Sequence, residues 1–324
     1  MSILVSGANG FVGRHLCASL AQHEPVIGMV RRAGSCPPEA REWLVPDWSE
    51  LPQAAHAAAL HGKVRAVVHL AARVHVMRDT AEDPLSAFRA VNVLASLELL
   101  RLAAAIGARR FVFVSSIKAL GDLEPGVPPH PWTETDTPHP DDPYGQSKLE
   151  AERLLQAEAA RLGLEWVIVR PPLVYGPGVG ANFLSLMRAV ARRRPLPLGA
   201  VRGRRSMLYV GNLVAFLVLV LGHEAAANQD FLVSDGPAMQ LPDLVRALAT
   251  EMGVAPRLWH VPPSLLQLAG ILSGRRAQVA RLTGSLRLDD GKARRLLGWR
   301  APFDTAQGLA ATVAGWPELS RKPS

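Results

Sequence analysis

Three glycines at three-residue spacing, Gly7, Gly10 and Gly13, follow the apolar run Ser2-Ile3-Leu4-Val5 and precede a helical stretch from Arg14. A buried strand, a glycine turn and a helix in direct succession constrain the fold more tightly than any bulk property, because together they form a dinucleotide phosphate cradle. Gly7 permits the tight turn, Gly10 lets the backbone approach a pyrophosphate, and Gly13 lets the helix pack close to the strand. The helix N-terminus offers unpaired N–H groups and the positive end of its dipole to the phosphates. The glycines alone also suit a turn without ligand, so residues further along the chain must decide between the two.

The first half has the alternation such a turn belongs to. Candidate strands at Ile3–Ser6, Val26–Val30, Trp43–Val45, Ala66–Leu70, Phe111–Ser115 and Trp166–Arg170 alternate with helices at Arg14–Gln22, Leu85–Ile106 and Tyr144–Leu162. This predicts an α/β fold, a Rossmann-type doubly wound parallel sheet. From Pro171 onward Pro and Gly become frequent and the alternation weakens. The expected organisation is a dinucleotide-binding domain over 1–170 and a smaller C-terminal α/β lobe over 171–324, mainly substrate-binding. One strand, Asp230–Val233, should return to the sheet near 230–235. The Pro-rich segment Gly121 to Pro143 is long for a loop inside a compact domain, which marks it as functional.

With 324 residues, 48% hydrophobic and 20% charged, the chain can bury a large core. The longest apolar run, Leu213 to Leu221, is about half a membrane span. The first strand leaves no room for a signal peptide, so a cytoplasmic protein without an integral membrane segment is expected. Net charge is +8, yet only five of the 36 basic residues are lysine, and the charge forms no basic tail or aromatic-interleaved stripe. That argues against nucleic-acid binding and is compatible with anionic ligands and a loose affinity for anionic membrane surfaces. Cys17 and Cys36 make neither a disulfide framework nor a zinc spacing, and the histidines form no HExxH pattern, so no metal is expected.

The helix after the long loop opens Tyr144-Gly145-Gln146-Ser147-Lys148, which sets Tyr144 and Lys148 on one face. An ammonium beside a phenol favours the phenolate and should lower its pKa, letting Tyr144 move a proton at neutral pH. Ser115-Ser116 ends a strand at the carboxyl edge of the sheet, where Ser116 can bond a substrate oxygen. The strand ending Val67-Val68-His69-Leu70 continues into Ala71-Ala72, small enough to leave room for a cofactor ring.

Taken together these segments resemble the extended short-chain dehydrogenase/reductase superfamily, the NAD-dependent epimerase/dehydratase family. The resemblance spans essentially the whole chain. It rests on Gly7 to Gly13, His69-Leu70-Ala71-Ala72, Val91-Asn92-Val93, Ser115-Ser116, Tyr144 to Lys148, and Arg170-Pro171-Pro172-Leu173-Val174-Tyr175-Gly176-Pro177-Gly178. It implies catalytic roles for Ser116, Tyr144 and Lys148: Tyr144 as acid/base, Ser116 orienting the reacting oxygen, Lys148 holding the nicotinamide ribose and tuning the tyrosine. The cofactor site it implies, with the arginines after the second strand, is Gly7, Asn9, Gly10, Phe11, Val12, Gly13, Arg31, Arg32, Asp47, Leu70, Ala71, Ala72, Tyr144, Lys148 and Pro171, with Asp47 at the adenine. Asn92 matches a helix-kinking asparagine of the family.

Pro177 to Phe183 resembles the nucleotide-sugar branch, which implies that Asn182 contacts a nucleotide diphosphate. Arg204 to Leu213 resembles the segment whose arginine pairs with that diphosphate, here Arg205, with Arg281 a second candidate. Ser116 and Lys118 complete the implied substrate site, and the implied substrate is a UDP-sugar. A dehydratase of this branch carries an Asp-Glu pair after the serine, where this chain has Ile117-Lys118. A 4-keto reductase and a UDP-glucose or UDP-N-acetylglucosamine 4-epimerase both remain, and a non-catalytic NADP sensor or scaffold is the reading from another class. The second strand ends Met29-Val30-Arg31-Arg32 with no carboxylate, which favours NADP(H) over NAD(H). Ser115 to Lys118, Val74-His75-Val76-Met77 and Pro195 to Gly199 look most like bacterial reductases acting on UDP-4-keto-6-deoxy-N-acetylhexosamine. Their product, UDP-N-acetylquinovosamine, is a lipopolysaccharide O-antigen precursor. The resemblance further implies a homodimer packed through segments 85–106 and 144–162, and the first of these carries more apolar positions than one buried face needs.

Overall fold

The computed structural model describes residues 1–48, 51, 58–73, 83–124, 126, 129–274 and 276–316. The segment Val74 to Met77, which carries part of the reductase resemblance, lies outside them. The elements, in chain order, begin β1 (Ser2–Ser6), α1 (Phe11–Leu20), β2 (Val26–Val30), β3 (Arg41–Leu44), β4 (Val64–His69), α2 (Pro84–Arg89), a π-helical turn (Ala90–Leu94), α3 (Ala95–Ala105) and β5 (Arg110–Val114). Next come α4 (Pro143–Leu162), β6 (Glu165–Arg170), β7 (Leu173–Tyr175), α5 (Ala181–Ala191), β8 (Arg204–Arg205), β9 (Met207–Tyr209), α6 (Val210–Gly222) and β10 (Gln229–Leu232). The chain closes with β11 (Met239–Gln240), α7 (Leu241–Glu251), α8 (Pro263–Leu272), α9 (Arg276–Thr283), α10 (Gly291–Leu297) and α11 (Thr305–Ala314).

Seven parallel strands form one sheet in the order β3-β2-β1-β4-β5-β6-β10. This is the doubly wound Rossmann arrangement, and the strand order reverses between β1 and β4, where such folds open their ligand crevice. β1, β2 and β4 are buried almost throughout, as strands covered on both faces must be. β3 is an edge strand and largely exposed. It forms at Arg41–Leu44 rather than Trp43–Val45, and Val45 only closes the ladder by donating its N–H to Val30 O at 2.8 Å.

Hydrophobic layers cover the two faces. On one, Leu16 and Leu20 of α1 and Leu213, Phe216, Leu217 and Val220 of α6 pack against Ile3, Val5 and Val112. On the other, Leu99, Leu100 and Ala103 of α3 and Ala151, Leu155 and Ala159 of α4 pack against Leu4, Val67, Phe111 and Ile168. A third core joins Tyr175, Phe183 and Met187 to α7 and α11. A small fourth one, Ile117, Leu120, Trp132, Leu232, Leu286 and Leu288, fastens the long loop to the C-terminal segment. Trp132 is fully buried there, pairs with Leu288, and donates its indole N–H to Leu123 O at 2.8 Å.

The helix expected at Leu85–Ile106 is a composite of α2, the π-turn and α3. Asn92 sits in the π-turn, fully buried. Its amide accepts from Arg73 N at 2.8 Å and donates to Arg73 O and Ser147 Oγ, both at 3.0 Å. One side chain thus ties the segment after β4 to the helix that carries Tyr144.

Candidate active site

The glycine turn is shaped by contacts that admit no side chain. Gly7 has φ +68°, and a Cβ there would lie 2.8 Å from Ala71 N. A Cβ on Gly13 would lie 2.2 Å from Gly7 O and 2.6 Å from Ala8 O. No side chain caps α1, so its first-turn amides, Phe11 and Val12 among them, are left for an external acceptor. The turn abuts the end of β4, so Leu70 and Ala71 form the opposite wall, with Ala72 next along the chain. Asn9 holds the rim: its Nδ2 donates to Ser35 Oγ at 3.1 Å, and its carbonyl accepts from Arg14 at 3.0 Å. Arg31 and Arg32 follow β2 directly and are exposed, and among the described residues neither pairs with a carboxylate. Asp47 is exposed just beyond β3. The cradle, its free amides and the small wall fit a dinucleotide.

A buried polar thread runs beneath the wall. His69 Nδ1 lies 2.5 Å from Ser6 Oγ and Nε2 lies 2.7 Å from Ser96 Oγ, while Ser6 Oγ accepts from Ala71 N. Burial, with Lys148 adding to it, pushes the imidazole down to about 3. His69 is therefore a neutral spacer that locks the end of β4 to β1 and α3. The sequence marks it only as part of a motif.

Just past β5, Ser116 adopts an extended backbone, its hydroxyl accepts from Lys118 N at 3.3 Å, and it lies near enough to the Tyr144 phenol to favour its ionised form. Pro171 O receives Ile117 N at 3.0 Å, which brings the segment after β6 against the same edge. α4 begins with Asp142 as N-cap, accepting from Gly145 N at 2.8 Å, and with Pro143 at the first helical position. Tyr144 is thereby held in the first turn, and Lys148 lies buried one turn on.

The expected pKa relationship does not appear. Lys148 Nζ donates to Val114 O at 2.9 Å and stands 4.4 Å from the Phe113 ring centroid. Burial pushes the Tyr144 phenol up to about 12, with the Ser116 bond pulling the other way and Asp142 adding to the rise. Burial lowers Lys148 to about 8 against the opposing pull of Glu152. With its ammonium occupied by a backbone carbonyl, Lys148 does not depress the phenol, and Tyr144 is held as an acid.

The three basic candidates beside this pair separate into two kinds. Lys118 pairs with Asp142 and lies 3.2 Å from Asp122, and Arg281 lies 2.7 Å from Asp122 and 3.9 Å from Asp142. These four groups form a closed cluster linking the β5 edge, the cap of α4 and helix α9. Arg205 lies beside that cluster with its Nη2 buried and without a partner. Burial lowers its pKa, Asp122 opposes this, and Arg281 adds to it. An unsatisfied buried guanidinium is suited to an anionic ligand. Asn182 stands exposed in the first turn of α5 and forms no hydrogen bond or ion pair with Arg205 or the Ser116–Tyr144 pair.

Behind α4, Arg170 is bonded to Glu152 at 2.8 Å and to Asp230 at 2.7 Å, and Lys292 joins Asp230 at 2.7 Å. Each of these residues has an opposite charge in reach, so the cluster is a structural clamp between β6, α4, β10 and α10. Among the described residues no group of three His, Cys, Asp or Glu is placed to hold a metal, and no helix is long and apolar enough to cross a membrane.

The chain matches known proteins over most of its length. Residues 3–234 match the family model described as NAD dependent epimerase/dehydratase family. The chain is 37% identical over 322 residues to a UDP-glucose 4-epimerase of Vibrio cholerae, covering 99% of this chain and 97% of that one. It is 29% identical over 334 residues to a GDP-6-deoxy-D-mannose reductase of Pseudomonas aeruginosa, covering 99% and 98%. The solved structure of MoeE5 in complex with UDP-glucose and NAD has a TM-score of 0.77 at 27% identity, covering 97% of this chain and 98% of that one.

Proposed function

Because the chain belongs to the NAD-dependent epimerase/dehydratase family and is an enzyme of short-chain dehydrogenase/reductase chemistry using a nicotinamide cofactor, we propose that it reduces the C4 ketone of a UDP-4-keto-6-deoxy-N-acetylhexosamine with NADPH. The product is a UDP-6-deoxy-N-acetylhexosamine of the kind used for surface polysaccharide. The observation that carries this reading is the end of β2: Arg31 and Arg32 stand exposed where an NAD-specific site would place a carboxylate. Two guanidinium groups there suit a 2′-phosphate, and NADPH is the usual source of hydride for a net reduction.

The Gly7–Gly13 turn and the residues after β4, Leu70 to Ala72, would hold the cofactor, which would supply the hydride. Ser116 holds the substrate oxygen by its hydroxyl. Tyr144, protonated at neutral pH, gives that oxygen its phenolic proton. Lys148, held by Val114 O, keeps α4, and with it Tyr144, against the end of β5, where its ammonium is the group that would meet the nicotinamide ribose. Arg205 anchors the diphosphate with its unpaired nitrogen, Asn182 assists from α5, and the Lys118–Arg281 cluster bounds the sugar end.

A second reading is favoured by the 37% identical relative, a UDP-glucose 4-epimerase. In that reaction Tyr144 acts first as base and the cofactor is regenerated within each turnover. Purified enzyme offered NADPH or NADH with the 4-keto sugar nucleotide separates the two. Loss of one NADPH per sugar, abolished by the Arg31→Glu/Arg32→Glu double substitution, supports the reductase. Interconversion of C4 epimers without net cofactor loss replaces it with the epimerase.

A further inference from the structure

Helix α8 carries its large apolar side chains outward. Leu265, Leu268 and Ile271 are more than half exposed and Leu272 is 81% exposed, while Gly270 is the one residue of the helix that is buried. At 100° per residue the four exposed side chains fall within an arc of about 120°. Gly270 lies on the opposite side, where α8 packs chiefly against α9. Trp259, 60% exposed, stands just ahead of the helix. Contiguous exposure of this kind is rare on a surface that meets only water.

The segment that carries it has charge of one sign. From Met252 to Leu288 the chain contains no Asp or Glu and five Arg. Arg257 and Arg276 flank α8 and are exposed. Leu196 pairs with Leu258, which brings the exposed Arg192-Arg193-Arg194 run beside Trp259. Arg202 and His260 line a cleft with Pro262 and Pro263 at the start of the helix.

We propose that α8 and Trp259 form an interfacial anchor that seats the protein on the surface of an anionic bilayer. The helix has ten residues and a length of about 15 Å, half the hydrocarbon thickness, so it lies in the interface plane rather than crossing it. Its apolar arc enters the headgroup boundary, Trp259 sits at that level, and the arginines meet the lipid phosphates. The charge decides between this occupant and a second copy of the chain. A two-fold contact through α8 would set Arg257 and Arg276 near their own equivalents, with no carboxylate in the whole segment to relieve them. Anchoring also places the site at the membrane, because α9, on which α8 rests, carries Arg281 into the cluster beside Lys118.

Flotation of the full chain with phosphatidylcholine vesicles, with and without phosphatidylglycerol, tests this without any substrate, so its outcome is independent of the reductase reading. The wild-type protein should float with the anionic vesicles and remain behind with the neutral ones. Leu268→Asp/Leu272→Asp should reduce the bound fraction roughly tenfold or more, and Arg276→Glu or added salt should weaken binding further. Both variants change exposed positions, and unchanged melting and cofactor binding verify that they are folded. The proposal fails if the wild type does not float, if the variants float equally well, or if sedimentation shows that the leucine substitutions instead split an oligomer.

Discussion

Lys148 donates its ammonium to the carbonyl of Val114 at the end of β5, 2.9 Å away, rather than to the phenol one helical turn before it. The bond fixes α4 to the strand that leads into Ser116, and it leaves Tyr144 protonated under the influence of burial. The pH behaviour of the reaction is set by this arrangement. Reduction should be flat through neutrality and fall only as the alkaline limit of Tyr144 is approached, because the reaction consumes the phenol proton. A kcat profile for reduction that instead rises with pH through neutrality would show Tyr144 working from its phenolate.

Tyr144→Phe removes the proton donor and leaves the ring that packs near Phe88. Turnover should fall by about 10²–10⁴ with cofactor affinity nearly unchanged. Steady-state rates alongside a cofactor titration check both halves of the statement.

Gly13→Ala should destroy the cradle. The new methyl would meet Gly7 O and Ala8 O, which are backbone atoms and cannot step aside. A loss of about 1–3 kcal/mol in stability and of measurable cofactor binding is expected, readable by thermal melting with and without NADPH.

His69 ties stability to pH. Its folded pKa is about 3 against an unfolded value of 6.5, so both states are neutral above 6.5 and the residue costs nothing there. As pH falls from 6.5 toward 3 the unfolded chain takes up a proton that the folded protein refuses, and stability drops by about 1.4 kcal/mol per pH unit. Denaturant titrations across that window should show the slope, and His69→Gln should flatten it.

Arg170→Met should be costly although it lies outside the proposed chemistry. It leaves Glu152 and Asp230 without their shared cation in a buried setting, for an expected loss of about 3–5 kcal/mol. Chemical denaturation of the variant measures this, and residual activity per folded molecule should stay close to wild type.

We further propose that the chain forms a homodimer through α2, α3 and α4, where Leu94 and Leu154 are exposed. Leu94→Glu/Leu154→Glu should convert the dimer to monomer in light scattering, and a wild-type monomer at working concentration would overturn the assignment.

Much of this was legible in the sequence, because strand runs buried on both faces and glycines in a tight turn leave few alternatives. The strands through β6 lie within two residues of their expected ends, and Ser116 and Tyr144 meet as the order of motifs implied. What the sequence left open concerns partners distant along the chain. Nothing in Lys118 or Arg281 announces that Asp122 and Asp142 neutralise them while Arg205 keeps a free nitrogen. The cap was readable, since Asp142 before Pro143 is a helix-start signal. The direction of the Lys148 ammonium was not, because it depends on where Val114 ends its strand.

The π-turn at Ala90–Leu94 has a consequence for the rest of its helix. An added residue advances a helix by about 100°, so α2 and α3 run out of phase. Of the apolar positions that looked too many for one face, Val93 is buried in the turn and Leu99 and Leu100 in α3, while Leu94 is exposed. Deleting a single residue here would realign the two halves and turn the α3 apolar side off the sheet, whereas a deletion in an exposed loop would be absorbed. Outside the buried Asn92, a change of residue in this segment should cost less than a change of length.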